Sequence, residues 1–198
     1  MIVIKLDTSA VTRAQKELSG VKGKVPQALK SAVNTTAKQA RERLVAQAQK
    51  AYTVKAGRLK KAVTIKNANV RNLTAVITAR GKPMELKDFK TSPASPPKKQ
   101  RKRAKTRAKV YSVSQLKPLE KNGIKAFVTR FKNGHVSVAQ RRTKKRLPIK
   151  VLFSTSIPHM IGNEEQVYQI ILPDVQRVYG DEVSKQFEKL FTKLRDSV

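Results

Sequence analysis

With 198 residues, 39% of them hydrophobic, 5% aromatic and no Trp, the chain has material for one modest core, which argues against a large aromatic-lined ligand pocket. The absence of cysteine excludes disulfides and thiolate metal sites. Forty-four Lys and Arg stand against 13 Asp and Glu, a formal charge of +31; copies of such a chain repel one another unless a polyanion or an acidic partner neutralises them, which puts nucleic acid first among partners, then acidic protein surfaces and anionic membranes.

The first residues, Ile2 to Leu6, read as a short strand. Their apolar run is too short for a secretory signal, since Lys5 and Asp7 follow at once. No run approaches the ~20 apolar residues of a spanning helix, so the expectation is a chain made and folded in a cytoplasm-like compartment. Asp7-Thr8-Ser9 offers a helix cap with Val11, Ala14 and Leu18 behind it at helical spacing. Pro26 opens the longest helical pattern, where its missing N–H costs nothing. Leu29, Val33, Ala37, Ala40, Leu44, Ala48 and Ala51 keep one face of that helix apolar and mostly small. A turn and short helix over 52–61 precede strand-like runs at 63–65, 73–78 and 84–86.

Residues 91–109 break the pattern. Three prolines in Thr91–Pro97 fix the backbone and remove donors. The next twelve residues, 98–109, hold eight cations and no large apolar residue. The expectation is an exposed loop or arm within a single domain spanning 1–198, unable to fold by burial of its own. Strand character resumes at 110–116 with Tyr111, Val113 and Leu116. Residues 124–131 then alternate, Ile124, Ala126 and Val128 against Lys125, Phe127 and Thr129. Asn133-Gly134 supplies the positive φ angles of a tight turn, and Val136 and Val138 begin the return strand. A second basic cluster covers 141–146, and Pro148 marks the strand pattern of 147–153 as an edge or a bulge.

The end reads as helix. Asn163 with Gln166 has the form of a capping box, with Glu164 and Glu165 at the positive end of the helix dipole. Pro173 is expected to kink or divide this helix, and Gly180-Asp181 to divide it again before Val183, Phe187, Leu190, Phe191 and Leu194. Charge is segregated. Residues 80–150 hold 23 Lys and Arg against three acids, whereas residues from 163 onward hold seven acids and five basic residues.

Catalytic constellations are absent from the pattern. His135 and His159 are the two histidines, each more readily a polar neighbour than a ligand. Acids in the middle are too sparse for a two-metal nuclease site, and no phosphate-cradling G-x-x-x-x-G-K-[ST] loop occurs. A tyrosine recombinase would place Arg three residues after a His, but Val138 and Gly162 stand there. The reading is no enzyme, no catalytic residue, no cofactor and no metal. The candidate contacts to nucleic acid or to an acidic partner are Lys98, Lys99, Arg101, Lys102, Arg103, Lys105, Arg107 and Lys109 in the first cluster. Arg141, Arg142, Lys144, Lys145 and Arg146 form the second. Both can neutralise phosphates in a salt-dependent way, but neither carries interleaved aromatics for base stacking. Duplex DNA and an acidic protein ring stay open as alternatives.

A resemblance adds to this reading. Arg141-Arg142-Thr143-Lys144-Lys145-Arg146-Leu147-Pro148-Ile149-Lys150-Val151-Leu152-Phe153, followed by Ser156-Ile157-Pro158-His159-Met160-Ile161, resembles minor tail protein Z of lambdoid phages. In that family a basic run leads into an L-P-I segment and then a helix opening on acids. Ser154-Thr155 departs from the family's Gly-Pro. Ala32-Val33-Asn34-Thr35-Thr36-Ala37 is similar to the family's A-x-N-x-T-A helix. The resemblance runs over nearly the whole chain and is weakest over 85–115.

It implies an α+β fold, with N-terminal helices and a C-terminal helix packed on a mostly antiparallel β-sheet and a long basic loop. It further implies a structural virion protein of a long-tailed phage, acting in tail completion at the head-proximal end and preparing head–tail joining. Implied partners are the tail terminator, tube or connector rings and further copies of the chain, in a hexameric ring matching the tail's symmetry. No membrane is implied. The rival reading is a stand-alone nucleic-acid-binding protein without sequence specificity.

Overall fold

The computed structural model describes residues 2–5, 24–97 and 105–195. The cap and helix expected over 7–18 lie outside these residues. Helix α1, Val25–Ala51, begins with Pro26 in its first turn and ends where Tyr52 turns extended, its N–H bonding Ala48 O at 2.8 Å. Its expected apolar face is buried except at Ala51, which is partly exposed: Leu29, Val33, Ala37, Ala40, Leu44 and Ala48 are all at most 3% exposed. Ala32 and Val45 widen the stripe. Four of these eight side chains are alanine, which lets neighbouring backbones approach closely.

The helix packs on a three-stranded antiparallel sheet of order β1-β3-β2, built from β1 (Ile2–Lys5), β2 (Val63–Lys66) and β3 (Val76–Ala79). Val63, Ile77 and Ala79 point into the core. Short helix α2, Ala56–Ala62, feeds β2. Arg41 on α1 donates to the carbonyls of Lys60 (2.6 Å) and Val63 (2.7 Å), occupying acceptors at the end of α2. Asn34 makes a second clamp. Its amide accepts from Ala68 N (2.7 Å) and donates to Ala68 O (3.1 Å), the pattern a neighbouring strand would offer. The Asn of the A-x-N-x-T-A segment thus pins the β2–β3 connection.

The C-terminal helical region closes the core. Ser156 caps the five-residue helix α3, Ile157–Ile161. Asn163 accepts from Gln166 N at 3.0 Å, as the capping pattern predicts. A π turn over Glu164–Tyr168 then leads into α4, Gln169–Arg195. Neither Pro173 nor Gly180 divides α4, contrary to the sequence expectation. Pro173 lies close to the helix start, where the preceding π turn already departs from the regular hydrogen-bond register. α4 runs antiparallel along α1: Leu190 packs with Val25 and Leu29, while Val167 and Ile171 meet the other half of the core.

Residues 83–156 form the second region. Strand β4 (Pro83–Glu85) pairs with β12 (Phe153–Ser156). Strands β5 (Lys90–Ser92), β6 (Arg107–Lys109) and β7 (Lys117–Pro118) form a small antiparallel sheet. Strands β8 (Glu120–Lys121), β9 (Ile124–Arg130), β10 (Val136–Arg141) and β11 (Ile149–Val151) form another, of order β11-β10-β9-β8. The β9–β10 hairpin stands where expected, with Val128 opposite Val138. Its turn differs from the expectation. Only Gly134 has positive φ (82°), Gly134 N–H bonds Phe131 O, and Phe131 N–H bonds His135 O. This is a three-residue loop with a left-handed glycine rather than a two-residue turn.

Strand β11 lies at a sheet edge, as Pro148 indicates. Both ends of the 91–109 stretch belong to paired strands, with Thr91 opposite Ala108. The strand expected over 110–116 forms only a single bridge, Tyr111 to Tyr52, and Val113 is 92% exposed. No helix of the described residues is long and apolar enough to cross a membrane.

Candidate polyanion-binding surface

The two basic clusters are more than thirty residues apart in sequence, and the fold brings parts of both to one cleft of about 550 Å³. Lys105, at the near end of the arm, lines one wall. Arg141, Thr143 and Lys144 line the cleft as well, with Gly123 and the first four residues of β9, Ile124 to Phe127, which add Lys125. Among the described residues no Asp or Glu lines this cleft. The local logic is plain. β10 runs to Arg141 and the chain turns through 142–148, held by Arg142 N–H to Pro148 O (3.0 Å), before returning as edge strand β11. Gln140, itself buried, donates to Ile124 O at 2.6 Å and keeps the hairpin's open end closed.

The candidates divide into groups. Lys105, Arg141 and Lys144 meet in the cleft. Arg142, Lys145 and Arg146 are exposed on the same turn, and Arg107 is exposed on β6. Lys109 is not available in the same way: it is half-buried, and its Nζ donates to Ser112 O at 2.7 Å. Strand alternation puts Arg107 and Lys109 on the same face, opposite the buried Ala108; what sets Lys109 apart is its bond to the Ser112 carbonyl, which ties its side chain down. Lys98, Lys99, Arg101, Lys102 and Arg103 lie outside the described residues. Lys125 was absent from the sequence candidates, although its place on the outward-facing half of the β9 alternation is a usable signal.

At the other end of the hairpin, polar groups gather around the few acids of the middle region. Glu85 accepts from Ser137 Oγ (2.5 Å) and pairs with His135 Nε2 (2.9 Å). Asp88 pairs with Arg58 at 2.7 Å. Burial works to raise the Glu85 carboxyl, but the Ser137 and His135 hydrogen bonds, with the charges of His135 and Arg58, outweigh it and hold the carboxyl below its usual range. Burial dominates at Asp88 and pushes its carboxyl up, against the Arg58 charge. Ser, His and Glu side by side suggest hydrolysis at first sight. Ser137 is fully buried and bonds the carboxylate, so its hydroxyl is not presented to a substrate. The group joins β4 to the hairpin. Among the described residues no group of three or more His, Asp and Glu could hold a metal.

The family model for prophage minor tail protein Z matches residues 9–197, nearly the whole chain and both basic clusters. The chain belongs to the prophage minor tail protein Z family. It is therefore a structural component of the phage virion. Neither a curated protein nor a solved structure matches the chain.

Proposed function

We propose that this minor tail protein completes the tail at its head-proximal end and prepares it for joining to the head, working by assembly and not by turnover. The observation that carries the reading is the convergence of Lys105, Lys125, Arg141 and Lys144 on one cleft that no acid among the described residues lines. A cleft with one sign of charge concentrates its field on an anionic partner. In this reading the partner is the phosphate backbone of the genome end, and the cleft helps to position it. A hexameric ring of subunits fits the symmetry of a tail, and docks on the neighbouring terminator, tube or connector ring. Heterologous contacts that close on themselves build such a ring, and a polyanion threading it offsets the mutual repulsion of +31 subunits.

The test is electron microscopy of particles assembled without the chain, with infectivity counted alongside. Full-length tails and filled heads that fail to join, or that join without infecting, are the expected result. Normal infectious particles would overturn the assignment and leave a free nucleic-acid-binding protein as the better reading. For the cleft itself, Arg141→Gln with Lys144→Gln should weaken duplex binding and flatten its salt dependence. Each lost phosphate contact lowers the log–log slope by about 0.9. An unchanged slope sends the cationic surface to an acidic protein neighbour instead.

A further inference from the structure

A second cleft, of about 490 Å³, opens among β4, β12 and the end of α2. The hairpin separates it from the first: Glu85 in its wall touches His135 beside the hairpin turn, whereas the polyanion cleft lies at the hairpin's open end. The two clefts share no lining residue. Two features set this cleft apart. Phe153, opposite Glu85 in the β4–β12 pair, is 57% exposed and lines it. Lys61, Arg80 and Lys82 line it too, all three exposed and without an acidic partner among the described residues.

The acids in the wall are already engaged. Glu85 is held by Ser137 and His135, and Asp88 by Arg58. Glu85 is thus hydrogen-bonded from the hairpin side and Asp88 is met by Arg58, while Lys61, Arg80 and Lys82 stand exposed beside the aromatic ring.

An isolated exposed apolar side chain is ordinary on a protein surface. An aromatic face inside a cationic cleft has a more specific chemistry. A base stacks on any aromatic ring regardless of its identity, and adjacent phosphates need cations within a few ångströms of that ring. Duplex DNA offers the ring a base face only by unstacking a step, which costs a few kcal/mol, whereas an unpaired base meets it freely. A cleft of this size lies within the ~300–1,000 Å³ range of small-ligand sites, and its open side admits a splayed base to the ring.

We propose that this cleft binds an unpaired nucleotide of single-stranded nucleic acid, with Phe153 as the stacking face and Lys61, Arg80 and Lys82 as phosphate contacts. The chain then carries two nucleic-acid surfaces of different kind, one for backbone charge and one for an exposed base. The site draws on α2, the β3–β4 connection and β12, which explains why the basic clusters, read alone, lacked an aromatic.

The test is fluorescence anisotropy of the full-length protein with a labelled oligothymidylate and a labelled duplex at one ionic strength. Phe153→Ala should weaken oligothymidylate binding about tenfold and leave duplex binding unchanged, while Phe153→Tyr keeps both. Lys61→Gln with Lys82→Gln should flatten the salt dependence for oligothymidylate. Arg141→Gln with Lys144→Gln should do the reverse, weakening duplex more than oligothymidylate, so this site and the polyanion cleft fail separately. The proposal is overturned if the unaltered protein does not bind oligothymidylate. It is equally overturned if Phe153→Ala leaves that binding intact, Phe153 then being a contact for a protein neighbour, or if it weakens both probes alike.

Discussion

The helical region and the β-rich region of this protein are stabilised in different ways. Helices α1 and α4 with the β1-β3-β2 sheet share a continuous core, from Ala40 and Leu44 through Ile77 and Met160 to Val175. The hairpin region rests on a much smaller group, Leu86, Ala108, Ala126, Val128 and Val138. It carries most of the cationic surplus, which opposes compaction, so its few apolar contacts are supplemented by polar ones. Thr53, just past α1, accepts from Lys90 N and donates to Lys109 O. Glu85 and Asp88 join β4 and the turn after it to the hairpin and to α2. The lesson is that a strongly cationic surface draws its stability from a neighbouring region and from the few acids it retains.

This contrast has a direct test in core truncation. Leu44 is 1% exposed at the centre of the larger core, and Leu44→Ala should cost ~2–5 kcal/mol, read as a lower urea midpoint. Val138 is fully buried in the smaller core, and Val138→Ala, losing two methylene equivalents, should cost about 2 kcal/mol. The informative part is cooperativity. If the links at Thr53 and Glu85 make one unit of the two regions, both variants lower a single transition. Should Val138→Ala split the transition and leave the helical signal at its original midpoint, the hairpin region unfolds alone and the picture of dependence on the helical core fails.

Much of the helical region was legible in the sequence because its signals are local. Pro26, the alanine-rich stripe and Asn163 each state a helix start or face within a few residues, and the structure places them accordingly. The α+β class and the hairpin were legible for the same reason. What escaped depends on distant partners. The strands at 90–92 and 107–109 are short and polar, and exist because they pair with each other across the arm. Tyr111 and Val113 look like strand residues, but the chain at 110–112 is tied to Ala51 and Thr53, leaving Val113 in solvent. α4 continues past Gly180 because its packing on α1 outweighs one poor helix former. At the candidate surface, composition identified the cations; only the fold could say that Lys105 joins Arg141 while Lys109 turns away to Ser112.

The smallest of the expected effects bears on the polar links, through their dependence on pH. Glu85 has a folded-state carboxyl below its ordinary value of 4.5, so its ionised form stabilises the fold. That contribution is present above the unfolded value and is lost as pH falls through the folded one. Asp88 has the opposite sign. Its carboxyl is raised above the ordinary 3.8, so ionising it costs stability as pH rises through the raised value. Glu85→Gln keeps the shape of the side chain but removes a charged acceptor from Ser137 and His135. It should cost about 1.5 kcal/mol at neutral pH, the low end of the range for hydrogen bonds to a charged group. The gap from the unaltered protein should close as pH falls below about 4.5. Asp88→Asn should lose the Arg58 pair yet gain from relief of burial, so its gap at neutral pH is the smaller of the two. Denaturant melts of the two variants at neutral pH and near pH 3 decide the matter. A Glu85→Gln deficit that persists undiminished in acid means the contact acts through packing rather than charge. A larger deficit for Asp88→Asn than for Glu85→Gln would move the main link from the hairpin to α2.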